Sequence, residues 1–236
     1  MLTMDPLAVI DAGVMPYGDT LALQKEILAQ KKCGRAEDYL ILVEHPNIFT
    51  IGRSGTEENI LVDESLLEER SLRVLHVDRG GDITFHGPGQ VVIYPVFDLR
   101  NHTKDVRSFI YNLEEVIVRV VGSCGPYAYR NAKYTGIWTS AGKIGFIGIG
   151  LSSWITYHGV SLNANIDLKY FSMIRPCGIK DVPVTSLADI LGTRIDINDL
   201  KELIIKKFCE VFSFEHYSYR EDAFLALEAH TGFRSR

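Results

Sequence analysis

The sequence predicts a mixed α/β domain. Two long stretches carry apolar residues at helical spacing, several short apolar runs of strand length lie between them, and no linker, repeat or low-complexity segment divides the chain. With 236 residues, 46% of them hydrophobic, there is enough chain for one substantial core, and a single domain over residues 1–236 is expected.

The elements follow in order. Residues 19–34 offer caps at Asp19 or Thr20, apolar positions at Leu21, Leu23, Ile27 and Leu28, and a terminating Gly34, which is a helix pattern. Tyr39 to Val43 is an apolar run stopped by Pro46, and Ile48 to Ile51 follows closely, so both read as strands. Leu72 to Val77 and Gln90 to Phe97 are two more, separated by the glycine-punctuated stretch RGGDITFHGPGQ at 79–90. From Lys104 onward Val106, Phe109, Ile110, Leu113, Val116, Ile117 and Val120 recur at helical spacing, with Thr103 as N-cap and Gly125 as the stop. Gly136 to Thr139, the turn Ser140-Ala141-Gly142, and Lys143 to Leu151 read as a hairpin, and Trp154 to Leu162 adds a strand. Leu200 to Phe212 repeats the helical pattern, and Glu221 to His230 is expected to form a short terminal helix.

Composition excludes several function classes. A net charge of −5 argues against a broad nucleic-acid footprint, because phosphate binding relies on clustered Lys and Arg. No apolar run reaches the roughly 20 residues that cross a bilayer, and the first residues have neither signal-peptide nor transit-peptide character, so a soluble cytoplasmic protein is expected. Cys33, Cys124, Cys177 and Cys209 show no CxxC or Cys/His metal spacing, the histidines add none, and no GxSxG motif is present. Neither a cofactor nor a metal is expected.

The chemistry centres on Cys177. In Arg175-Pro176-Cys177-Gly178 it lies between a residue that fixes the backbone and one that permits unusual torsions, a setting for a presented nucleophile as much as for a small buried hydrophobe. Lys143 opens an apolar, glycine-rich strand just after a hairpin turn, where it is either an edge lysine or a functional ammonium. If the two meet, the chemistry is coherent, since the thiolate is the nucleophile and a neighbouring ammonium favours it. At about 4 Å and an effective dielectric near 20 that attraction is at most on the order of 4 kcal/mol.

Two glycine-rich segments leave alternatives open. Residues 79–90 lack the phosphate-cradling GxxxxGK[ST] form; Gly80 and Gly81 either make turns or let backbone approach a substrate that Arg79 and His86 enclose. Residues 143–150, KIGFIGIG, lack the GxGxxG order of a dinucleotide site, and their glycines mark passage of either an acyl chain or another backbone. His158, in YHGVSLNAN at 157–165, is by itself a weak signal.

Five ordered blocks together resemble the lipoyl(octanoyl) transferase family, from about Tyr17 to about Leu191. Glu44-His45-Pro46 with Thr50-Ile51-Gly52-Arg53 is similar to its EHP-x-TxGR region and residues 79–90 to its RGGQxTYHGPGQ signature. GIWTSAGKIGFIGIG, YHGVSLNAN and PCGI resemble three further blocks. The resemblance implies a mixed, mostly antiparallel sheet with flanking helices, as in lipoate and biotin protein ligases. It implies transfer of an octanoyl group from octanoyl-acyl carrier protein to a lysine of lipoyl domains, in 2-oxoacid dehydrogenase E2 subunits and glycine cleavage H protein. Cys177 would form the thioester and Lys143 would assist it. Arg79, Gly80, Gly81, Asp82, Ile83, Thr84, Phe85, His86, Phe146, Ile147, Gly148, Gly159, Val160 and Ser161 would line the acyl substrate. Asp82, Phe85 and Gly145 depart from the family's usual glutamine, tyrosine and alanine, and Gly145 is expected to widen the tunnel. The competing readings are an ATP-dependent lipoate protein ligase, an amidotransferase drawing octanoate from a modified carrier domain, and a non-catalytic acyl-carrier-binding module. Arg53, Lys104, Arg107 and Lys180 are the candidate contacts for an acidic carrier.

Overall fold

The computed structural model describes residues 6–220 apart from Ala36 and Asp181. In chain order its elements are β1 (Leu7–Val14), α1 (Tyr17–Lys32), β2 (Tyr39–Glu44), β3 (Ile48–Ile51), α2 (Glu64–Glu69), β4 (Arg73–His76), β5 (Ile83–His86) and β6 (Gln90–Val96). There follow α3 (Val106–Ser123), β7 (Tyr129–Arg130), β8 (Ile137–Thr139), β9 (Gly142–Ser152), β10 (Ile155–Asn163), α4 (Leu187–Leu191), α5 (Ile197–Phe212) and β11 (Tyr217–Tyr219).

An eight-stranded sheet in the order β11-β1-β2-β6-β10-β9-β8-β7 forms the scaffold, and a three-stranded sheet, β4-β3-β5, lies against it. Only the β11–β1 and β1–β2 pairs of the large sheet are parallel. The β1–β2 pair needs a crossover, which α1 supplies. The other pairings are antiparallel, so the mixed, mostly antiparallel sheet with flanking helices is observed.

The continuous apolar runs are explained by burial on both faces. On β1, Leu7 and Val9 face a core shared with α3 and α5, while Ala8 and Ile10 face a second core built with α1. On β6, Val91 and Ile93 divide from Val92, Tyr94 and Val96 in the same way. A third cluster joins the small sheet to the chain around Phe171, through Phe49, Ile51, Ile83, Phe85 and Phe146.

Several boundaries move. α1 starts at Tyr17 after Pro16 with no side-chain cap, two residues before Asp19. α3 is capped by Asp105, not Thr103; the Asp105 carboxylate accepts from Arg107 N–H at 2.9 Å and from the Ser108 hydroxyl at 2.7 Å. The sequence reading missed β1, whose apolar run is interrupted by Asp11 and Gly13, and β5, a four-residue strand inside the glycine-punctuated segment. Four residues are too few to show a period. The expected helix at 221–230 lies outside the described residues.

The β5–β6 turn is tied to the end of β10 through Gly89, at φ +86°, whose carbonyl accepts from Ala164 N–H at 3.0 Å and Asn165 N–H at 2.7 Å. A Cβ there would stand 2.5 Å from the Asn165 backbone. Gly89→Ala is therefore expected to cost roughly 2–4 kcal/mol from strained torsion and overpacking. Urea unfolding of the variant measures it, and an unchanged midpoint would contradict this packing.

Candidate active site

Lys143 is held at backbone and side chain together. Its N–H donates to Pro183 O at 2.8 Å and its carbonyl accepts from Thr185 N–H at 3.0 Å, so the 183–185 segment pins the start of β9. The side chain is buried, 1% exposed. Nζ donates to Thr135 O at 2.8 Å and to Cys177 Sγ at 3.3 Å, with the rings of Phe146 and Trp138 at 4.9 and 5.4 Å. Among the described residues no carboxylate forms an ion pair with it. This is no edge lysine: a desolvated ammonium faces a thiol across 34 positions of sequence.

Cys177 sits in a short 3-10 turn, Pro176–Gly178, with its own backbone left-handed at φ 58°, ψ 22°. Such a torsion costs a non-glycine residue on the order of 1–3 kcal/mol and persists only where surroundings impose it. His158 is likewise at φ 55° inside β10, where its N–H donates to the buried Gln24 Oε1 of α1 at 2.7 Å.

A narrow cavity of about 40 Å³ opens beside Cys177. Of the fourteen residues expected to line the substrate, Arg79, Gly81, Asp82, Ile83, Thr84, His86, Phe146, Ile147, Gly148, Gly159, Val160 and Ser161 border it. Gly80 and Phe85 do not. Gly80 N–H donates to Ile149 O at 2.8 Å, which seats the 79–81 loop on β9. Phe85 points into the small-sheet core, stacked on Tyr170 at 4.5 Å, because its neighbours on either side of the strand already face the cavity.

The strand glycines answer chiefly to protein packing. A Cβ at Gly148 would meet Gly80 O at 2.6 Å, and at Gly145 the Ile137 side chain at 2.9 Å. Gly145 therefore does not widen the cavity. The sequence reading missed Tyr17, Val92 and Tyr94 and passed over His158, all of which border the cavity. The available signal was period two: Val92 and Tyr94 are alternate residues of β6 and face α1 together.

The cavity walls are unusually polar beneath their apolar surface. Arg79, almost fully buried, donates to Thr50 O at 2.7 Å, Thr50 Oγ1 at 3.0 Å and Gly80 O at 2.9 Å. Burial pulls its guanidinium below the usual value, while Tyr17, Cys177, Tyr94 and Asp82 favour its charge. Two buried hydroxyls of residues bordering the cavity, Thr84 Oγ1 and Ser161 Oγ, have no hydrogen-bond partner among the described residues. Among the described residues no three His, Cys, Asp or Glu side chains converge to hold a metal ion.

Two hydrogen-bonded chains fix the histidine tautomers. Tyr17 OH donates to His158 Nδ1 at 3.1 Å, and His158 Nε2–H donates to Asp78 Oδ1 at 2.8 Å. Tyr94 OH donates to His45 Nε2 at 2.8 Å, and His45 Nδ1–H donates to Met15 O at 2.7 Å. Burial pushes the Tyr17 phenol up to about 12 and holds His45 and His158 down to about 4.

Of the basic residues expected to meet a carrier, Lys180 borders a groove on the outer side of the Cys177 turn, beside Arg175. Arg53 reaches Tyr157 OH at 3.4 Å, Lys104 lies over Trp154 at 5.1 Å, and Arg107 follows the α3 cap.

Burial also holds His86 well below the usual imidazole value, and of these three histidines His45 and His158 give a pH prediction. Unfolded, they bind protons below about pH 6.5, whereas folded they do so only near pH 4. Stability is thus retained above pH 6.5 and declines as pH falls from there to 4, by about 1.4 kcal/mol per pH unit for each histidine. Urea unfolding at pH 7 and pH 5 should differ by roughly 3–4 kcal/mol, and equal stabilities would contradict buried neutral imidazoles.

Residues 16–209 match the family described as the lipoyl protein ligase A/B catalytic domain. An octanoyltransferase of Solibacter usitatus is 42% identical over 203 residues, which cover 86% of this chain and 91% of that protein. One of Thermoanaerobacter sp. is 44% identical over 211 residues, covering 89% and 91%. Among solved structures, a lipoate-protein ligase A bound with ATP superposes with TM-score 0.77 at 15% identity over 96% of this chain and 93% of that one. The bi-partite lipoate protein ligase of Thermoplasma acidophilum gives 0.71 at 15% identity over 96% and 91%. With the fold shared by these ligases and the sequence shared by these transferases, the chain belongs to the lipoyl protein ligase A/B catalytic-domain family, and within it to the octanoyltransferases.

Proposed function

We infer that this protein is an acyltransferase of protein lipoylation that carries an octanoyl group on Cys177. The observation that carries this reading is the buried Lys143 ammonium, without a carboxylate partner among the described residues, 3.3 Å from a thiol that lines the cavity. A desolvated cation demands an opposite charge, and the Cys177 thiolate is the group in place to supply it. Thioester chemistry needs such a thiolate; adenylate chemistry does not.

The proposed reaction balances around this pair. The Cys177 thiolate attacks the thioester carbonyl of octanoyl-acyl carrier protein, and the carrier's sulfur leaves, taking a proton from Lys143. The acylated enzyme then holds a neutral Lys143 opposite an uncharged sulfur. A neutral lysine amine of a lipoyl domain attacks the acyl carbon, its proton passes to Lys143, an amide forms and the Cys177 thiolate is regenerated. The unpartnered Thr84 and Ser161 hydroxyls are suited to donate to the acyl carbonyl as charge develops on it. Lipoyl domains of 2-oxoacid dehydrogenase E2 subunits and glycine cleavage H protein are the proposed acceptors. The cytoplasm is the proposed compartment, consistent with four unbridged cysteines.

Intact-mass measurement after mixing the protein with octanoyl-acyl carrier protein, with no nucleotide present, should show one octanoyl unit on Cys177. Absence of the adduct, or full transfer by Cys177→Ser, would refute the reading. Lys143→Met should slow both half-reactions, with a loss in overall transfer of roughly 10²–10⁴-fold. Normal release of octanoyl from Cys177 to the amine in that variant would remove Lys143 as base.

A further inference from the structure

Cys177 lies between a hydrogen-bonded fastening on its N-terminal side and a close packing contact on its C-terminal side, both of which involve Asn59. On its N-terminal side, Arg175 N–H donates to Asn59 O at 2.8 Å, and Leu61 N–H donates to Met173 O at 2.8 Å, forming an antiparallel bridge between the 59–61 and 173–175 segments. On its C-terminal side, Asn59 Nδ2 donates to Asp82 Oδ2 at 2.7 Å, and that same oxygen lies 2.4 Å from where a Cβ on Gly178 would stand. The second carboxylate oxygen, Oδ1, accepts from Ile83 N–H at 2.6 Å, fixing Asp82 to the start of β5. Gly178, at φ +67°, is thus the residue whose missing side chain lets the carboxylate lie against the turn. Between these ties Cys177 holds its left-handed torsion.

We propose that Asp82 and Asn59 form a latch that imposes the left-handed conformation of Cys177 and so sets Sγ against Lys143. Asp82 and Asn59 are positioning residues, acting through the 175–178 turn. The latch rests on the reading of Cys177 as nucleophile and adds to it the means by which a strained, partly exposed residue is kept on target. Asp82 is short enough to bind its own strand and Asn59 at once.

The test compares Asp82→Ala, Asn59→Asp and the swapped pair Asn59→Asp with Asp82→Asn. Asn59→Asp sets two carboxylates face to face, whereas the swapped pair restores an amide donor opposite a carboxylate and leaves an oxygen for Ile83 N–H. Three readouts are taken on the full chain: thioester formation on Cys177 by intact mass, the pH profile of Cys177 alkylation by iodoacetamide resolved by peptide mapping, and acceptor KM against kcat. Asp82→Ala and Asn59→Asp are expected to slow thioester formation roughly 10- to 100-fold with acceptor KM unchanged, as displacement of a reacting atom does. The swapped pair should recover most of the rate. In Asp82→Ala the alkylation profile should move to higher pH, because Sγ has left the ammonium. A move to lower pH would show that Asp82 acts only as a nearby negative charge, and an unmoved profile with a lowered melting temperature would show a merely structural role; either overturns the latch. So does a swapped pair no faster than Asn59→Asp, a comparison that stands even if Asp82→Ala does not fold. Failure of the underlying reading is separate: there the unmodified protein itself would gain no octanoyl group.

Discussion

A buried lysine, with no carboxylate partner among the described residues, is the constraint around which the site is arranged. Removing Lys143 from water is costly, and the described residues offer it a backbone carbonyl, two aromatic faces and a thiol. Satisfying that cation requires the 183–185 segment to pin β9 at one end, Thr135 to turn its carbonyl inward, and the 175–178 turn to bring Cys177 across. Those pieces come from distant parts of the chain. Their meeting depends on how the loops fold back onto one face of the sheet.

Close passage of backbone is the second organising feature. The small sheet does not merely cover the large one. Its 79–81 loop is hydrogen-bonded onto β9 at Ile149, over a strand position where Gly148 leaves no side chain in the way. That contact closes one wall of the cavity and brings Arg79, Asp82 and Thr84 to the same space as Ile147 and Ser161. The glycines of residues 143–150 thereby serve the cavity indirectly: they let two sheets approach closely enough to make it.

The polar groups around the cavity divide by whether they are already satisfied. Tyr17, Tyr94, His45 and His158 are each committed to a hydrogen-bonded chain, and burial holds the histidines neutral. They give rigid walls without charge, which suits an alkyl chain. Thr84 and Ser161 are uncommitted. Under the proposed reading, an apolar tail gains nothing from such hydroxyls, and an acyl carbonyl is the group they would serve. Arg79 contributes a fixed positive field near Cys177, favourable to an anionic sulfur or oxygen.

The sequence by itself determined the secondary-structure inventory where apolar periodicity was long enough to read: α3, α5 and the strands β9 and β10 lie within a few residues of where the pattern puts them. It also marked Cys177, Lys143 and the 79–90 segment, through their motif context. It did not determine β1 or β5, too interrupted or too short to show a period, nor that Phe85 turns away from the cavity while Thr84 faces it. Above all, the tertiary structure decided the 3.3 Å contact between Lys143 and Cys177 and the bracing of the cysteine turn by Asn59 and Asp82. The reason is physical: local patterns record which face of an element is buried, whereas a contact between residues 34 positions apart depends on how whole sheets and loops pack.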